Sequence, residues 1–166
     1  MNAAPPLSDD LRTLYQEIIL DHGKNPRNVR IVEHHTCKAQ GNNPMCGDRV
    51  TVMARVSPAG LLEDLAFEGK GCAISIASAS MMSEALAGQS LSAVRQLFSA
   101  VHDLCTGKLD TDQAKAAVPA ALNDSVDKLA SLSGVRQFPV RVKCATLPWH
   151  ALMSCLEGKA QATTEQ

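Results

Sequence analysis

"GNNPMCGDRVTVMARVSPAGLLEDLAFEGKGCAISIASASMMSEALAG", residues 41–88, changes its hydrophobic period partway along, and that change decides the fold class. Val50, Val52, Ala54 and Val56 alternate with Thr51, Met53 and Arg55, the two-residue repeat of a half-buried strand. "SPAG" closes a turn, and a second alternating run follows through Leu61, Glu63, Leu65 and Phe67. Together the runs predict an antiparallel hairpin. Beyond "EGKG" the period becomes that of a small-residue helix, "CAISIASASMMSEALAG", with Gly88 placed to end it. Alanine and serine dominate there, so neighbouring elements can approach closely.

Working outward, Ser8 caps a helix with Asp9 and Asp10 in its first turn, at the positive end of the helix dipole. Leu11, Leu14, Tyr15, Ile18 and Ile19 form its apolar face, and the helix is expected to end near Asp21-His22-Gly23. A turn-rich "KNPRNVR" leads to an extended stretch from His35 to Gln40. After Gly88, Ser90 caps a helix striped by Leu91, Val94, Phe98, Val101 and Leu104 and stopped by Gly107. The following segment is polar and holds Pro119, which predicts a loop with short helical pieces and a short helix over 124–132. "RQFPVRVKCATLPWHALMSCLEGK" is expected to start extended and become a helix with Pro148 near its first turn. Helices after a strand block make an α+β fold. The length predicts a single domain over 1–166, with loose tails at 1–7 and 160–166.

A net charge of −1, from 16 basic and 17 acidic side chains, leaves no field to attract nucleic acid or anionic lipid. The chain has no 18-residue apolar run, and its N-terminus lacks the pattern of a secretory signal, so the expected compartment is the cytoplasm. In that compartment six cysteines argue against a disulfide framework.

The cysteines divide by position. Cys46 lies in the turn before a strand, Cys72 at a strand-to-helix junction and Cys144 at the expected junction into the last helix. A thiol at a helix N-terminus meets the positive end of the dipole, which favours thiolate. Cys105 and Cys155 fall inside amphipathic helices, where a buried, inert thiol is expected. Cys37, near His34 and His35, is ambiguous, because an extended strand has no turn to aim such groups at one ion. Cys46, Asp48, Cys72 and Cys144 match in number and type the ligands of a tetrahedral zinc, and thiolates also suit iron–sulfur chemistry. Spacing alone leaves a second reading open, with the thiols simply buried and Asp48 capping a turn, since no CxxC occurs.

The segments "LYQEIILDHGKNPRN", "GNNPMCGD", "FEGKGCAISIASASMMSE" and "FPVRVKCATLPWHAL" resemble, in order, the iron–sulfur assembly family of IscU, SufU and the NifU N-terminal domain. The resemblance spans residues 11 to 157. It implies a sheet of about three antiparallel strands packed against helices, with Cys46, Asp48, Cys72 and Cys144 as metal ligands. IscU-type scaffolds carry a histidine before the last cysteine and an LPPVK motif upstream, whereas this chain has Lys143 and "RQFPVRVK". The segment between the second and third of these cysteines is also expanded, as in SufU-like members.

The SufU-like resemblance implies a bound zinc and a SufS-type, pyridoxal-phosphate-dependent cysteine desulfurase as partner. It further implies that the desulfurase takes up one zinc ligand, freeing Cys46 to accept persulfide sulfur for a SufBCD-type scaffold complex. Arg141 matches a basic position of the pattern, so Arg141 and Lys143 are expected to support the zinc site or a docking partner. A solvated charge is the alternative for Arg141. A scaffold that assembles an iron–sulfur cluster and a plain zinc-stabilised binding module are the competing functions. Trp149 is expected in the core, and His150 is not expected to be a ligand.

Overall fold

Ser8 starts the first helix as the sequence predicts. Its side chain accepts a hydrogen bond from the Leu11 N–H, and α1 runs over Asp9–Lys24. The computed structural model describes residues 8–163, so the expected loose segment 1–7 and residues 164–166 lie outside the described residues. The strands are β1 (Cys37–Asn43), β2 (Asp48–Val56), β3 (Leu62–Lys70) and β4 (Gln161–Thr163). The remaining helices are α2 (Ala73–Leu86), α3 (Leu91–Thr106), α4 (Thr111–Ala116), α5 (Asn123–Leu129) and α6 (Pro139–Leu156).

The sheet has the order β3-β2-β1-β4, with β1–β2 and β2–β3 antiparallel and β4 parallel to β1. The resemblance implies about three strands; the fourth, β4, lies in the 160–166 segment for which a loose tail is expected. Gln161, Ala162 and Thr163 pair with Gln40, Gly41 and Asn42. Such a strand has no hydrophobic period to announce it, because its backbone simply completes the free edge of β1. The β2–β3 hairpin forms, but its register shifts at Arg55/Val56, so that Leu62 is buried and Leu61 exposed. A bulge of this kind inserts one residue and moves the apolar phase by one position.

α6 lies against β1 and β2, and α2 packs on both α1 and α6. Small residues permit the contacts. A Cβ at Gly41 of β1 would meet Leu147 Cδ1 at 2.9 Å and Ala151 Cβ at 3.2 Å, so a larger residue there would have to displace the Leu147 side chain and press on Ala151 of α6. Trp149, fully buried as expected, donates from Nε1 to Ser78 Oγ at 3.0 Å, and the Ser78 hydroxyl donates to the Ala145 carbonyl. The start of the chain is tied to α2 in the same way. Ser80 Oγ accepts from the Arg27 N–H at 2.9 Å and pairs with His22 Nδ1 at 2.7 Å. On the far face of the sheet Val32, Met53 and Ala66 make a small second cluster.

The segment after α3 is built of short pieces, as its composition predicts. α4, a 3-10 turn over Ala120–Leu122, α5 and a 3-10 segment over Ala130–Gln137 bury Leu122, Val126, Leu129 and Leu132. The expected extended approach to the last helix is absent. Pro139 stands at the first helical position, where its missing N–H costs nothing, so α6 begins there and Pro148 falls well inside it. Cys144 is therefore inside the helix rather than at its mouth.

Cys37 and Cys155 form a disulfide across 118 residues, contrary to the expectation of free thiols and of an inert thiol at Cys155. The cause is tertiary. The first residue of β1 and the last turn of α6 meet with their Cα atoms 5.3 Å apart, within bridging range. Cys105 is the buried thiol expected, its pKa pushed up to about 12 by burial.

Two outcomes follow from this packing. Ser78→Ala leaves the buried Trp149 indole N–H without its partner, and it should lower the unfolding free energy by about 1–3 kcal/mol in denaturant titrations. Alkylation of the protein unfolded without reductant should label four of the six cysteines, and all six after reduction, by intact mass.

Candidate metal centre

The centre grows out of the four-residue connection between β1 and β2. Asn43 ends β1, and its carbonyl accepts the N–H of Cys46 at 3.2 Å and of Gly47 at 2.8 Å. Its side-chain Oδ1 accepts the Met45 N–H at 3.2 Å. Gly47 turns with φ +72°, a left-handed conformation that glycine adopts without strain. The turn leaves Cys46 exposed at its tip and sends Asp48, the first residue of β2, into the interior at 2% exposure.

A buried carboxylate needs partners, and α2 supplies them. Cys72 is the N-cap of α2, and its N–H donates to Asp48 Oδ1 at 2.8 Å. The Cys72 Sγ lies 3.7 Å from Asp48 Oδ2 and 3.8 Å from Ser75 Oγ. Gly71 makes this approach possible, since a Cβ there would meet Ser75 Oγ at 2.5 Å and Asp48 Oδ1 at 2.8 Å. The Asp48 carboxylate thus accepts the N–H of the α2 N-cap residue rather than capping its own turn, which Asn43 closes, and it also faces a thiol.

α6 brings the third sulfur. Cys144 is fully buried, with Sγ 3.4 Å from Cys46 Sγ and 3.5 Å from the Val140 carbonyl one turn back. Asn43 Nδ2 donates to the same sulfur at 3.6 Å. The expected thiolate-favouring helix terminus does not act on Cys144, because this residue lies in the second turn of α6. Burial pushes its pKa well up, and the hydrogen bonds to Cys46 and Asp48 and the charge of Cys72 act in the same direction.

Cys46, Asp48 and Cys144 each offer a ligand atom within 4.8 Å of the others; Cys72, the fourth expected ligand, falls outside that group and touches it only through Asp48, with its Sγ 3.7 Å from Oδ2. A tetrahedral ion held through sulfur at roughly 2.3 Å spaces its donors roughly 3.8 Å apart. The Cys46–Cys144 separation of 3.4 Å and the Cys72–Asp48 separation of 3.7 Å have the size of two edges of such a tetrahedron. The residues present therefore fit a metal ion with soft, mainly thiolate ligation.

Two basic residues flank the sulfurs. Arg141 is exposed, one turn before Cys144, and the charges of Cys72 and then Cys144 raise its pKa. It also lines a cleft of about 450 Å³ with Arg12, Arg136, Ile74 and Phe138. Lys143 is half-buried and makes no ion pair among the described residues. His150 packs against Phe98 and His102, away from the ligand group. Asn43 is the member of the site that sequence reading missed. Its signal was its place three residues before Cys46, but only packing shows that its amide meets the sulfur of a residue 101 positions away.

Residues 14–131 match the family described as NifU-like N-terminal domain. The zinc-dependent sulfurtransferase SufU of Bacillus subtilis is 39% identical over 145 residues, which cover 86% of this chain and 89% of that one. The iron–sulfur cluster assembly scaffold protein IscU of Streptococcus pyogenes is 32% identical over 158 residues, 92% of this chain and 88% of that one. Among solved structures, a putative iron–sulfur cluster assembly scaffold protein for the SUF system from Fervidobacterium islandicum superposes with a TM-score of 0.70 at 29% identity, covering 87% of this chain and 98% of that one. With its α+β sheet-and-helix fold and its clustered thiols and carboxylate, this chain belongs to the NifU-like N-terminal domain family.

Proposed function

We propose that this protein is a zinc-dependent sulfur carrier of iron–sulfur cluster assembly. It accepts sulfur at Cys46 from a SufS-type, pyridoxal-phosphate-dependent cysteine desulfurase and passes it to a SufBCD-type scaffold complex. One observation carries the reading: a solvent-exposed thiol, Cys46, stands 3.4 Å from a fully buried one, Cys144, within a single ligand group. The identity to the Bacillus sulfurtransferase and the lysine at position 143 support the same choice.

Bound zinc would hold its thiols deprotonated and muted as nucleophiles, with Cys46, Asp48, Cys72 and Cys144 as its ligands. The transfer itself belongs to Cys46. Its thiolate attacks the terminal sulfur of the desulfurase persulfide, and a new S–S bond forms as the old one breaks. The desulfurase cysteine leaves as a thiolate, so the step needs no external oxidant or reductant. Cys144 and Cys72 are less exposed and stay behind. Arg141 and Lys143 supply positive charge beside the sulfurs, and Arg141 with its neighbouring cleft is a docking surface for the donor.

The second reading, a scaffold that assembles an iron–sulfur cluster, is favoured by the three thiols themselves and by the likeness to IscU. Alanine formation by a SufS-type desulfurase separates the two. Zinc-loaded protein should stimulate it severalfold, and Cys46→Ala, with an unchanged circular dichroism spectrum, should remove the stimulation. Absence of stimulation by the wild type would sink the carrier reading. Anaerobic reconstitution with ferrous iron and sulfide, followed by visible absorption, would then test the scaffold. Metal binding should also be visible in stability. At a free zinc concentration 100-fold above its dissociation constant the ion adds about 2.7 kcal/mol. A chelator should therefore lower the thermal midpoint of the wild type and leave that of Cys72→Ala nearly unmoved.

A further inference from the structure

Asn43 is 1% exposed, and both ends of its side chain are engaged. Its Oδ1 accepts the Met45 N–H at 3.2 Å, and its Nδ2 donates to Cys144 Sγ at 3.6 Å. The amide cannot be turned round. A backbone N–H is only a donor, so the oxygen must face Met45 and the nitrogen must face the sulfur. The Asn43 carbonyl at the same time accepts the N–H groups of Cys46 and Gly47. One buried residue thus grips the loop that carries Cys46 and the sulfur of Cys144. The two sulfurs are treated differently. Cys144 has Asn43, Val140 and Cys46 around it, whereas Cys46 has no side-chain partner except Cys144 among the described residues.

We infer that Asn43 is a positioning residue that divides the two sulfurs into one that stays and one that moves. Its N–H···S bond draws charge from Cys144 and holds that sulfur in place, which dulls it as a nucleophile. Cys46, on a loop held only through its backbone, keeps its full donor strength and its freedom to leave the group. The inference rests on the reading that these residues hold a metal ion, and it deepens that reading by naming what selects the accepting thiol.

The test uses Asn43→Ser with cobalt(II) as the probe ion. A serine hydroxyl can still accept the Met45 N–H and so keep the turn, but it is too short to reach Cys144. Asn43→Asp, of the same shape but lacking the N–H donor, repeats the measurement if the serine variant does not fold. In the cobalt-loaded variant the thiolate-to-metal charge-transfer band should move to longer wavelength than in the wild type, because one sulfur loses the donor that lowered its lone pairs. A folded variant whose band stays at the wild-type wavelength overturns the inference. If the wild-type protein itself gives no thiolate band with cobalt, the metal-site reading fails and takes this inference with it, a result distinct from an unshifted band.

Discussion

The contact of α6 with β1 at Gly41 is the constraint on which the site depends. Leu147 and Ala151 occupy the space that any side chain at position 41 would need, so the helix can lie directly on the strand. That seating sets the height of Cys144, one helical turn before Leu147, over the end of β1. The hydrogen bonds from Trp149 to Ser78 and from Ser78 to Ala145 then tie α6 to α2, whose N-cap is Cys72. The disulfide between Cys37 and Cys155 pins the other end of the same strand–helix pair.

Burial and charge pull against each other at the centre. Asp48 and Cys144 are both removed from water, where an unpaired charge is costly. The protein offers partial compensation: the Cys72 N–H to the carboxylate, the Asn43 amide to the sulfur and the exposed guanidinium of Arg141 nearby. These partners are weaker than a cation among the ligands would be, and the group remains one whose donors could hold a metal ion. Among the three thiols Cys46 is the exposed one, Cys72 is partly exposed and Cys144 is buried.

Much of the fold was legible because it is local. The hairpin, the caps at Ser8 and Ser90, the left-handed Gly107 and the short helical pieces after α3 follow from periodicity and turn chemistry within a few residues. The misreadings are partly long-range pairings and partly local backbone details that a period does not reveal. β4 is three residues of backbone pairing with a distant strand. The phase of β3 depended on a bulge, and the start of α6 on a proline that fits the first turn of a helix as well as it fits an extended segment. The bond from Cys37 to Cys155 joins positions that no spacing rule relates.

By itself the sequence determined the ligand candidates. Cys46 and Asp48 share one turn, and Cys72 and Cys144 stand out through the segments that resemble the assembly family. Only the tertiary structure decided that Cys144 is buried inside a helix, that Cys46 alone of the three is exposed, and that Asn43 reaches across to a sulfur. The physical reason is that residue type records which chemistry is available. Which thiol is held and which is free depends on burial and hydrogen bonding, and these are set by elements brought together from distant parts of the chain.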